Sequence, residues 1–427
     1  MGDTAKRDPN YVPSLTAVSN VDGLTPVTLY ADPVTHRLLT SSSSSIGYDA
    51  TAGSVGADYS TLKAAIDAGA TKILVIANTT ETANITVPDS VFLIHIVSGV
   101  TVAMGAYRFT GTGTGATRTV RIRGEGTISY AHTNANEELF DLDNNNVVDL
   151  DGPSITNSST ASGCKFAYFG VNQRVRNCSY ALPNQAAGGL EINRDGSIDA
   201  IEFTGGGTSC TLALDLRSGA NPINVVDVSL FGTFKASSST SADSVLRFHG
   251  GNVANIRYWV FGSAIRIEVD SYAQLTNVQA DFGNADINLY IGSNCSVSNI
   301  FVDDGSIVVT GTDSLVDNFR VWTIDVSAAG ASECSFSNFS VGSFTSTPNL
   351  GGDRNQFTNG KFVGGMTVVS GADNNGFMNC QFGGSGGGTK TLTVNAGSNN
   401  TRIIGCITDA AISDAGTGTV TSGNIVY

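Results

Sequence analysis

Short runs of alternating apolar and polar positions fill the second half of the chain, and each run is built around an asparagine. SLVDNFRVW holds one copy of this phrase, and CSFSNFSVG, residues 334–342, holds the next. The positions two before and three after the asparagine are apolar in every copy, and the position one after is apolar in nearly all. The asparagine returns at steps of 19 to 22 residues, at Asn255, Asn277, Asn299, Asn318, Asn338, Asn359 and Asn379. A repeat near this length that tolerates an extra residue predicts a solenoid whose coils differ slightly in size.

The asparagine itself indicates what kind of solenoid this is. Asparagine accepts the left-handed backbone conformation at a sharp bend between two strands. Stacked coils would then place these residues in register in a buried bend, with each side-chain amide bonded to the amide of the neighbouring coil. We therefore predict an all-β fold, a parallel β-helix with coils of about 20 residues, in which the apolar positions form stacked columns inside the tube.

The chain before the repeat predicts two further elements. In DYSTLKAAIDAGATKILV, Ser60 or Thr61 caps a short helix that carries Leu62, Ala65 and Ile66 on one face and ends at Gly69. We expect this helix to cover the first open edge of the β-helix. Upstream, TPVTLYADPVTHRLLT contains two short strand-like runs, and the serines at 41–45 form a linker. The predicted organisation is an N-terminal arm over residues 1–45 and a β-helix over residues 46–427.

Composition and charge exclude several classes of function. The 427-residue chain has a formal net charge of −14 and a pI near 4.6, which argues against binding to nucleic acid. No apolar run approaches the roughly 18 residues of a membrane span, so no membrane insertion is expected. The polar start MGDTAKRDPN lacks the features of a secretory signal. Seven cysteines without a CxxC pair, and four histidines, predict neither a metal site nor a disulfide scaffold, and no cofactor is expected.

The repeat also predicts which side chains face outward. Residues two and four positions after each asparagine lie on the outer face of one sheet, because side chains alternate along a strand. This face carries aromatic, cationic and acidic residues: Arg257, Trp259, Asp281, Phe301, Asp303, Arg320 and Trp322. Aromatic rings flanked by charged groups suit the binding of a sugar chain, and the same residues suit a contact between subunits. The sequence leaves both interpretations open.

Carboxylates on the same face are candidates for catalysis. Asp281 and Asp303 fall on successive coils, whose backbones are about 4.8 Å apart, and Asp304 follows directly. Glycosidases use two carboxyl groups about 5 to 9.5 Å apart, so these three residues are the predicted catalytic set. DLDNNNVVDLDG, residues 141–152, offers further carboxylates, but it lacks calcium-loop spacing and is interpreted as a turn between coils.

A repeat near 20 residues, an asparagine ladder and a capping helix together resemble the right-handed parallel β-helix of the pectin-lyase-like superfamily. STLKAAIDAGATKILV followed by ITVPDSVFLIHIVSGVTVAMG is similar to the helix and first coils of that superfamily. The superfamily includes lyases, hydrolases, adhesins and phage tail spikes. The GHG and RIK motifs of polygalacturonases are absent from this sequence, so the resemblance implies the fold and leaves catalysis open.

The first segment, AKRDPNYVPSLTAVSNVDGLTPVTLYADPVTHRLLT, resembles the N-terminal segment of phage tail-fibre and tail-spike proteins. This resemblance implies a virion protein that is assembled in the host cytoplasm and acts outside the cell. Residues 1–45 would attach it to other virion proteins, and the β-helix, as a homo-oligomer, expected to be a trimer, would bind a host-surface polysaccharide. The alternatives are a polysaccharide-degrading lyase or glycoside hydrolase, and a surface adhesin.

Overall fold

The structure is a computed structural model that describes residues 15–18, 26–31, 38–39, 47–88, 91–111, 119–135, 137–142, 147–161, 164–169, 173–182, 190–192, 196–206, 214–217, 224–233, 246–260, 265–280, 287–328, 330–342, 349–384 and 391–427. Within these residues almost all regular structure is β-strand, with one short helix.

The strands of the first half are β1 (Leu15–Val18), β2 (Pro26–Ala31), β3 (Leu38–Leu39), β4 (Ala50–Ala52), β5 (Lys72–Val75), β6 (Thr79–Thr80), β7 (Ile85–Val87), β8 (Val91–Ile96), β9 (Thr101–Gly105), β10 (Phe109–Gly111), β11 (Thr119–Arg123), β12 (Thr127–Tyr130), β13 (Glu138–Asp141), β14 (Val147–Asp151), β15 (Ser154–Asn157), β16 (Lys165–Phe169), β17 (Gln173–Leu182), β18 (Leu190–Ile192), β19 (Gly196–Gly206) and β20 (Leu214–Arg217).

The strands of the second half are β21 (Asn224–Thr233), β22 (Leu246–Val260), β23 (Ile265–Ala280), β24 (Ile287–Ile291), β25 (Ser296–Val309), β26 (Leu315–Asp325), β27 (Ser335–Val341), β28 (Asn349–Leu350), β29 (Gln356–Thr358), β30 (Lys361–Phe362), β31 (Met366–Val368), β32 (Gly376–Met378), β33 (Gln381–Phe382), β34 (Leu392–Val394), β35 (Arg402–Ile404), β36 (Ile407–Thr408), β37 (Ser413–Asp414), β38 (Val420–Ser422) and β39 (Ile425–Val426). The helix α1 spans Leu62–Asp67.

Parallel pairing between strands on successive turns of the chain defines the architecture. One continuous series of parallel pairs runs from β4 and β5 through β8, β11, β14 and β17 and continues to β38. Apolar residues keep the same register from turn to turn, as in Ile73, Ile94, Ile122 and Leu150, and all four are fully buried. Each turn of the chain thus stacks on the one before it. The predicted all-β fold, a parallel β-helix, is confirmed.

Stacked rings fill the interior of the later coils. Phe336, Phe357 and Phe377 lie in register, with ring centroids 4.6 and 5.1 Å apart and nearly parallel planes. Phe362 and Phe382 form a second stack at 5.0 Å. The coil spacing of about 4.8 Å allows such stacking without displacement of the backbone, and each buried ring contributes about 2 kcal/mol of apolar burial. These are the internal aromatic columns that the repeat predicts.

Helix α1 has the residues and boundaries that the sequence predicts. Its N-cap Thr61 accepts a hydrogen bond from the Ala64 amide, and Leu62, Ala65 and Ile66 are buried. The buried Glu81 carboxylate accepts the amides of Leu62 and Lys63, so a negative charge lies at the positive end of the helix. The helix packs near β4, β5 and β7. Its role as a cap on the open edge remains a prediction.

The N-terminal arm contains its own short sheet. Strand β1 pairs with β2, and β2 pairs with β3, both antiparallel. The last two strands are the two runs that TPVTLYADPVTHRLLT predicts. Among the described residues, these three strands pair only with one another.

Two left-handed corners, separated by a short four-residue side, shape each coil of the repeat region. All seven predicted asparagines have positive φ, between 50° and 58°. A second set of positive-φ residues lies five positions earlier, and its members are of five different types: Tyr272, Asn294, Asp313, Glu333, Arg354 and Asn374. The left-handed conformation costs most residue types about 1 to 2 kcal/mol, so the stacking of coils must hold the second set in place.

Candidate functional site

Strand β26 shows how the fold presents the candidate site. Val316, Phe319 and Val321 are buried, whereas Arg320 and Trp322 are exposed. Asn318 bends the backbone within this strand, with φ of 50°, so the alternation restarts after the corner. The outward positions are therefore those two and four residues after the asparagine, as the sequence predicts.

Parallel register lines up the first of these outward positions. The residues in register on successive coils are Arg257, Gln279, Phe301, Arg320 and Ser340. Four of the five are exposed and Ser340 is half-buried; Phe301 has 46% of its surface exposed. Neighbouring members are about 4.8 Å apart along the axis, a spacing close to the length of one sugar unit. The face thus carries an exposed phenyl ring with one arginine on the next coil, Arg320, and a second, Arg257, two coils away in the other direction.

Trp322 is the exposed aromatic residue of the second outward position. Its side chain is 43% exposed. On the next coil the facing residue is Gly342, whose amide bonds to the Val321 carbonyl at 2.8 Å. A Cβ added at Gly342 would lie 3.1 Å from Cε3 of the indole. The indole therefore lies against a stretch of backbone without a side chain on the side of Gly342.

A β-bulge lies opposite Trp322. Val302 pairs with Val321, but the next pair is Ser306 with Thr323. Asp303, Asp304 and Gly305 therefore oppose the single residue Trp322. Bulges of this kind occur frequently beside active sites, where they redirect side chains. The backbone pairing thus sets two of the three predicted catalytic residues, Asp303 and Asp304, opposite Trp322.

The remaining predicted site residues are only partly described. Asp281 lies outside the described residues, and so do the side chains of Asp303, Asp304 and Trp259. Strand β22 pairs with β23 as far as Tyr258 and Ala280, one residue before Trp259. The predicted catalytic set stays a prediction.

The seven asparagines form hydrogen bonds from one coil to the next. Nδ2 of Asn277 donates to Oδ1 of Asn255 at 2.8 Å, Asn299 donates to Asn277 at 2.9 Å, and Asn318 donates to Asn299 at 2.6 Å. Further along, Asn379 donates to Asn359 at 3.3 Å.

Two features of this series differ from the sequence interpretation. Asn338 donates to Oδ1 of Asp317 at 2.9 Å, so a carboxylate takes the place of the amide acceptor. Asn318 and Asn338 are also exposed, whereas we expected a buried bend. The bend is at an outer corner of the tube, and its side chains point into solvent.

The buried asparagines belong to a different column, which the sequence does not single out. Asn355 and Asn375 are completely buried and directly follow the second set of corners. Oδ1 of Asn355 accepts the Cys334 amide at 3.0 Å, and its Nδ2 donates to the Ala331 carbonyl at 2.6 Å. Asn375 repeats this pattern one coil later, accepting from the Asn355 amide and donating to the Gly352 carbonyl. These side chains satisfy backbone groups that would otherwise be buried without partners.

An ion-pair network on β11, β14 and β17 is a second feature that sequence reasoning missed. Asp149 is nearly buried and lies 2.5 Å from Nη2 of Arg123, whose Nη1 also donates to the Asp149 carbonyl at 2.9 Å. Arg176 lies 3.7 Å from Oδ1 of Asp149 and 3.3 Å from Oδ2 of Asp151. Residues 147–151 form a strand rather than the turn that we predicted for DLDNNNVVDLDG. The arginines around Asp149 balance its negative charge and link it to the neighbouring strands. The carboxylate is therefore suited to holding the strands together and not to binding a cation.

The cysteines of the described region fill the core. Cys164, Cys178, Cys295, Cys334, Cys380 and Cys406 are buried free thiols, and Cys210 lies outside the described residues. In the same part of the chain, no group of three or more histidine, cysteine or carboxylate side chains is arranged to hold a metal ion. No helix there is long and apolar enough to cross a membrane.

The chain matches no protein-family model and no curated protein sequence. The class of the protein therefore rests on the fold, a parallel β-helix, and on the exposed face around Trp322.

Proposed function

We propose that the protein is a phage tail-spike or tail-fibre protein that binds a host-surface polysaccharide on the outer face of its β-helix. The observation that carries the proposal is the exposed set formed by Phe301, Arg320 and Trp322. Phe301 and Arg320 are in register on adjacent coils, and Trp322 lies two residues further along the same strand as Arg320. Exposed aromatic side chains that are grouped on one outer face indicate a ligand or partner, whereas singly scattered ones do not.

The chemistry of this set suits a sugar chain. The exposed part of the Trp322 indole offers apolar surface to the C–H side of a pyranose ring, and arginine donates several hydrogen bonds to hydroxyl or carboxylate oxygens. Coils repeat at about 4.8 Å along the axis, so a glycan lying along the tube meets one coil per sugar unit.

The fold and the arm support the viral part of the proposal. Rod-like β-helices are well suited to structural roles because each coil is stabilised by its neighbours. The arm's strands β1 to β3 pair only among themselves in the described part of the chain, as expected of a separate attachment unit. We infer a homo-oligomer, a trimer by resemblance to tail spikes, located in the virion, with residues 1–45 contacting other virion proteins.

A polysaccharide-degrading enzyme is the second candidate. It is favoured by the bulge that sets Asp303 and Asp304 opposite Trp322. In this alternative the glycan bound on the indole would pass beside two carboxylates, as a glycoside hydrolase or lyase requires. A surface adhesin on the same fold is a further alternative, and it would use the same face for binding.

One experiment tests the proposal and separates it from the enzyme. The purified full chain is incubated with a panel of bacterial surface polysaccharides, and each mixture is separated by size. A polysaccharide that co-elutes with the protein at unchanged length supports a binding protein. Shortened chains indicate an enzyme, and Asp303→Asn should then stop the cleavage and keep the binding. If no polysaccharide of the panel is bound or shortened, the proposal is contradicted.

A further inference from the structure

Two buried cysteines lie directly opposite one another on adjacent coils near the C-terminal end. Strand β32 pairs with β35 so that Met378 is in register with Ile404, and β33 pairs with β36 so that Gln381 is in register with Ile407. Cys380 and Cys406 are therefore in register between these pairs. Each follows a left-handed corner, Asn379 with φ of 51° and Gly405 with φ of 64°, so their backbones turn in the same way.

This arrangement meets the distance requirement of a disulfide. In-register residues of neighbouring parallel strands are separated by about 4.8 Å. Disulfides join residues whose Cα atoms are about 4.4 to 6.8 Å apart. Other cysteines of the described region face different residues: Cys178 is in register with Ile201, and the Cys334 amide bonds to the Asn355 side chain.

The two thiols also interact with each other and with the same kind of backbone group. Sγ of Cys380 lies 3.4 Å from the Phe357 carbonyl oxygen, and Sγ of Cys406 lies 3.5 Å from the Phe377 carbonyl oxygen one coil further on. Both side chains thus point the same way into the core. The hydrogen bond between the two thiols raises the pKa of Cys380 and lowers the pKa of Cys406.

Strands β38 and β39 form the coil that lies next to the coil of Cys406. Every residue of β38 and β39 is exposed, including Val420, Ile425 and Val426. Segments with few buried contacts open locally at low free-energy cost. A small oxidant therefore has a route to Cys406 when this coil opens, although the thiol is fully buried in the closed structure.

We propose that Cys380 and Cys406 form a cross-coil disulfide when the protein meets an oxidising, disulfide-containing environment. The Cys406 thiolate attacks a small-molecule disulfide such as oxidised glutathione and releases one glutathione thiolate. The Cys380 sulfur, after losing its proton, displaces the second glutathione. Two electrons pass from the cysteines to the oxidant, and one S–S bond replaces two S–H bonds. The bond ties together the coils formed by β32–β33 and β35–β36.

The chain offers a direct assay for this bond. Trypsin cleaves after Lys361, Lys390 and Arg402, which places Cys380 on peptide 362–390 and Cys406 on peptide 403–427. The folded full chain is treated with oxidised glutathione, its remaining thiols are blocked, and it is digested without reductant. The expected product is these two peptides joined, with a mass lower than their sum by the two lost hydrogen atoms. Reductant should separate them.

Matched variants identify the bond. Cys334→Ser removes a buried cysteine that faces no other, so the joined product should persist at wild-type yield. Cys406→Ser should remove it. If the treated wild-type chain instead carries the blocking group on both Cys380 and Cys406, or if either is joined to a different cysteine, the proposal is overturned. This measurement on the wild-type chain does not depend on the folding of any variant, and it is independent of glycan binding.

Discussion

The buried asparagine column predicts that Asn355→Ala is one of the most damaging single substitutions in the repeat region. Removing this side chain leaves the Cys334 amide without its acceptor and the Ala331 carbonyl without its donor, both inside the protein. Each buried backbone group left without a partner costs about 1 to 3 kcal/mol. For the two groups together we therefore expect a loss of about 2 to 6 kcal/mol in the free energy of unfolding.

The exposed asparagine at the outer corner provides the matched comparison. Asn338→Ala removes the exposed bond to Asp317 and a residue type that tolerates the left-handed backbone. An exposed hydrogen bond exchanges with water, so the main cost is the strained backbone, about 1 kcal/mol. Asn318→Ala, which loses a bond to Asn299, should behave in the same way.

Equilibrium denaturation in urea, followed by circular dichroism, measures these differences on the full chain. Hydrogen exchange at the Cys334 amide provides a local readout, since this amide loses its acceptor only in Asn355→Ala. The reasoning is refuted if Asn338→Ala destabilises the protein as much as Asn355→Ala. It is also refuted if Asn355→Ala costs less than about 1 kcal/mol.

Three further predictions concern other parts of the molecule. Asp149→Ala should destabilise the protein by about 3 kcal/mol, because it removes the carboxylate that pairs the partly buried Arg123; an Asp149→Ala chain with the wild-type urea midpoint would contradict this. His132 is buried, which lowers its pKa from 6.5, so the unfolded chain binds its proton more readily. The contribution of neutral His132 to stability should thus be fully present above pH 6.5 and be lost as the pH falls below it. In His132→Gln, the urea midpoint should therefore fall less steeply with decreasing pH than in the wild type. An unchanged pH dependence would show that His132 is not its cause. Deletion of residues 1–45 should leave the β-helix folded, because β1 to β3 pair only with one another among the described residues; loss of the β-sheet circular dichroism signal would rule this out.

The sequence predicts the fold because one corner of each coil uses a single residue type. Asparagine tolerates positive φ and bonds to itself across coils, so the requirement of the bend is visible as a regular spacing. The other corner has the same backbone conformation at Tyr272, Glu333 and Arg354. The stacked coils impose the conformation of this second corner, so no single residue type is required there. The second corner therefore gives no regular spacing of one residue type in the sequence.

The site is predictable only in part, for a related reason. Alternation along the strand places Arg320 and Trp322 outward once the corner at Asn318 is located. The bulge at residues 303–305 depends on how β25 pairs with β26, which the spacing of asparagines does not encode. The pairing of Arg123 with Asp149 joins residues 26 positions apart in coils that lack the asparagine phrase, so their register could be read only from the structure.

Titration of glycan against Trp322→Ala is the most direct test of the central claim that this face binds a polysaccharide. Leu315→Ala is the matched control, since Leu315 is equally exposed, at 46% against 43%, and lies on the other side of the Asn318 corner. If the claim is correct, Trp322→Ala weakens binding by about 1 to 3 kcal/mol, the worth of one stacked indole, while Leu315→Ala binds as wild type and light scattering gives one oligomer mass for all three proteins. Wild-type affinity in Trp322→Ala, or a shift of this variant towards the monomer as expected for an aromatic anchor between subunits, would contradict the claim.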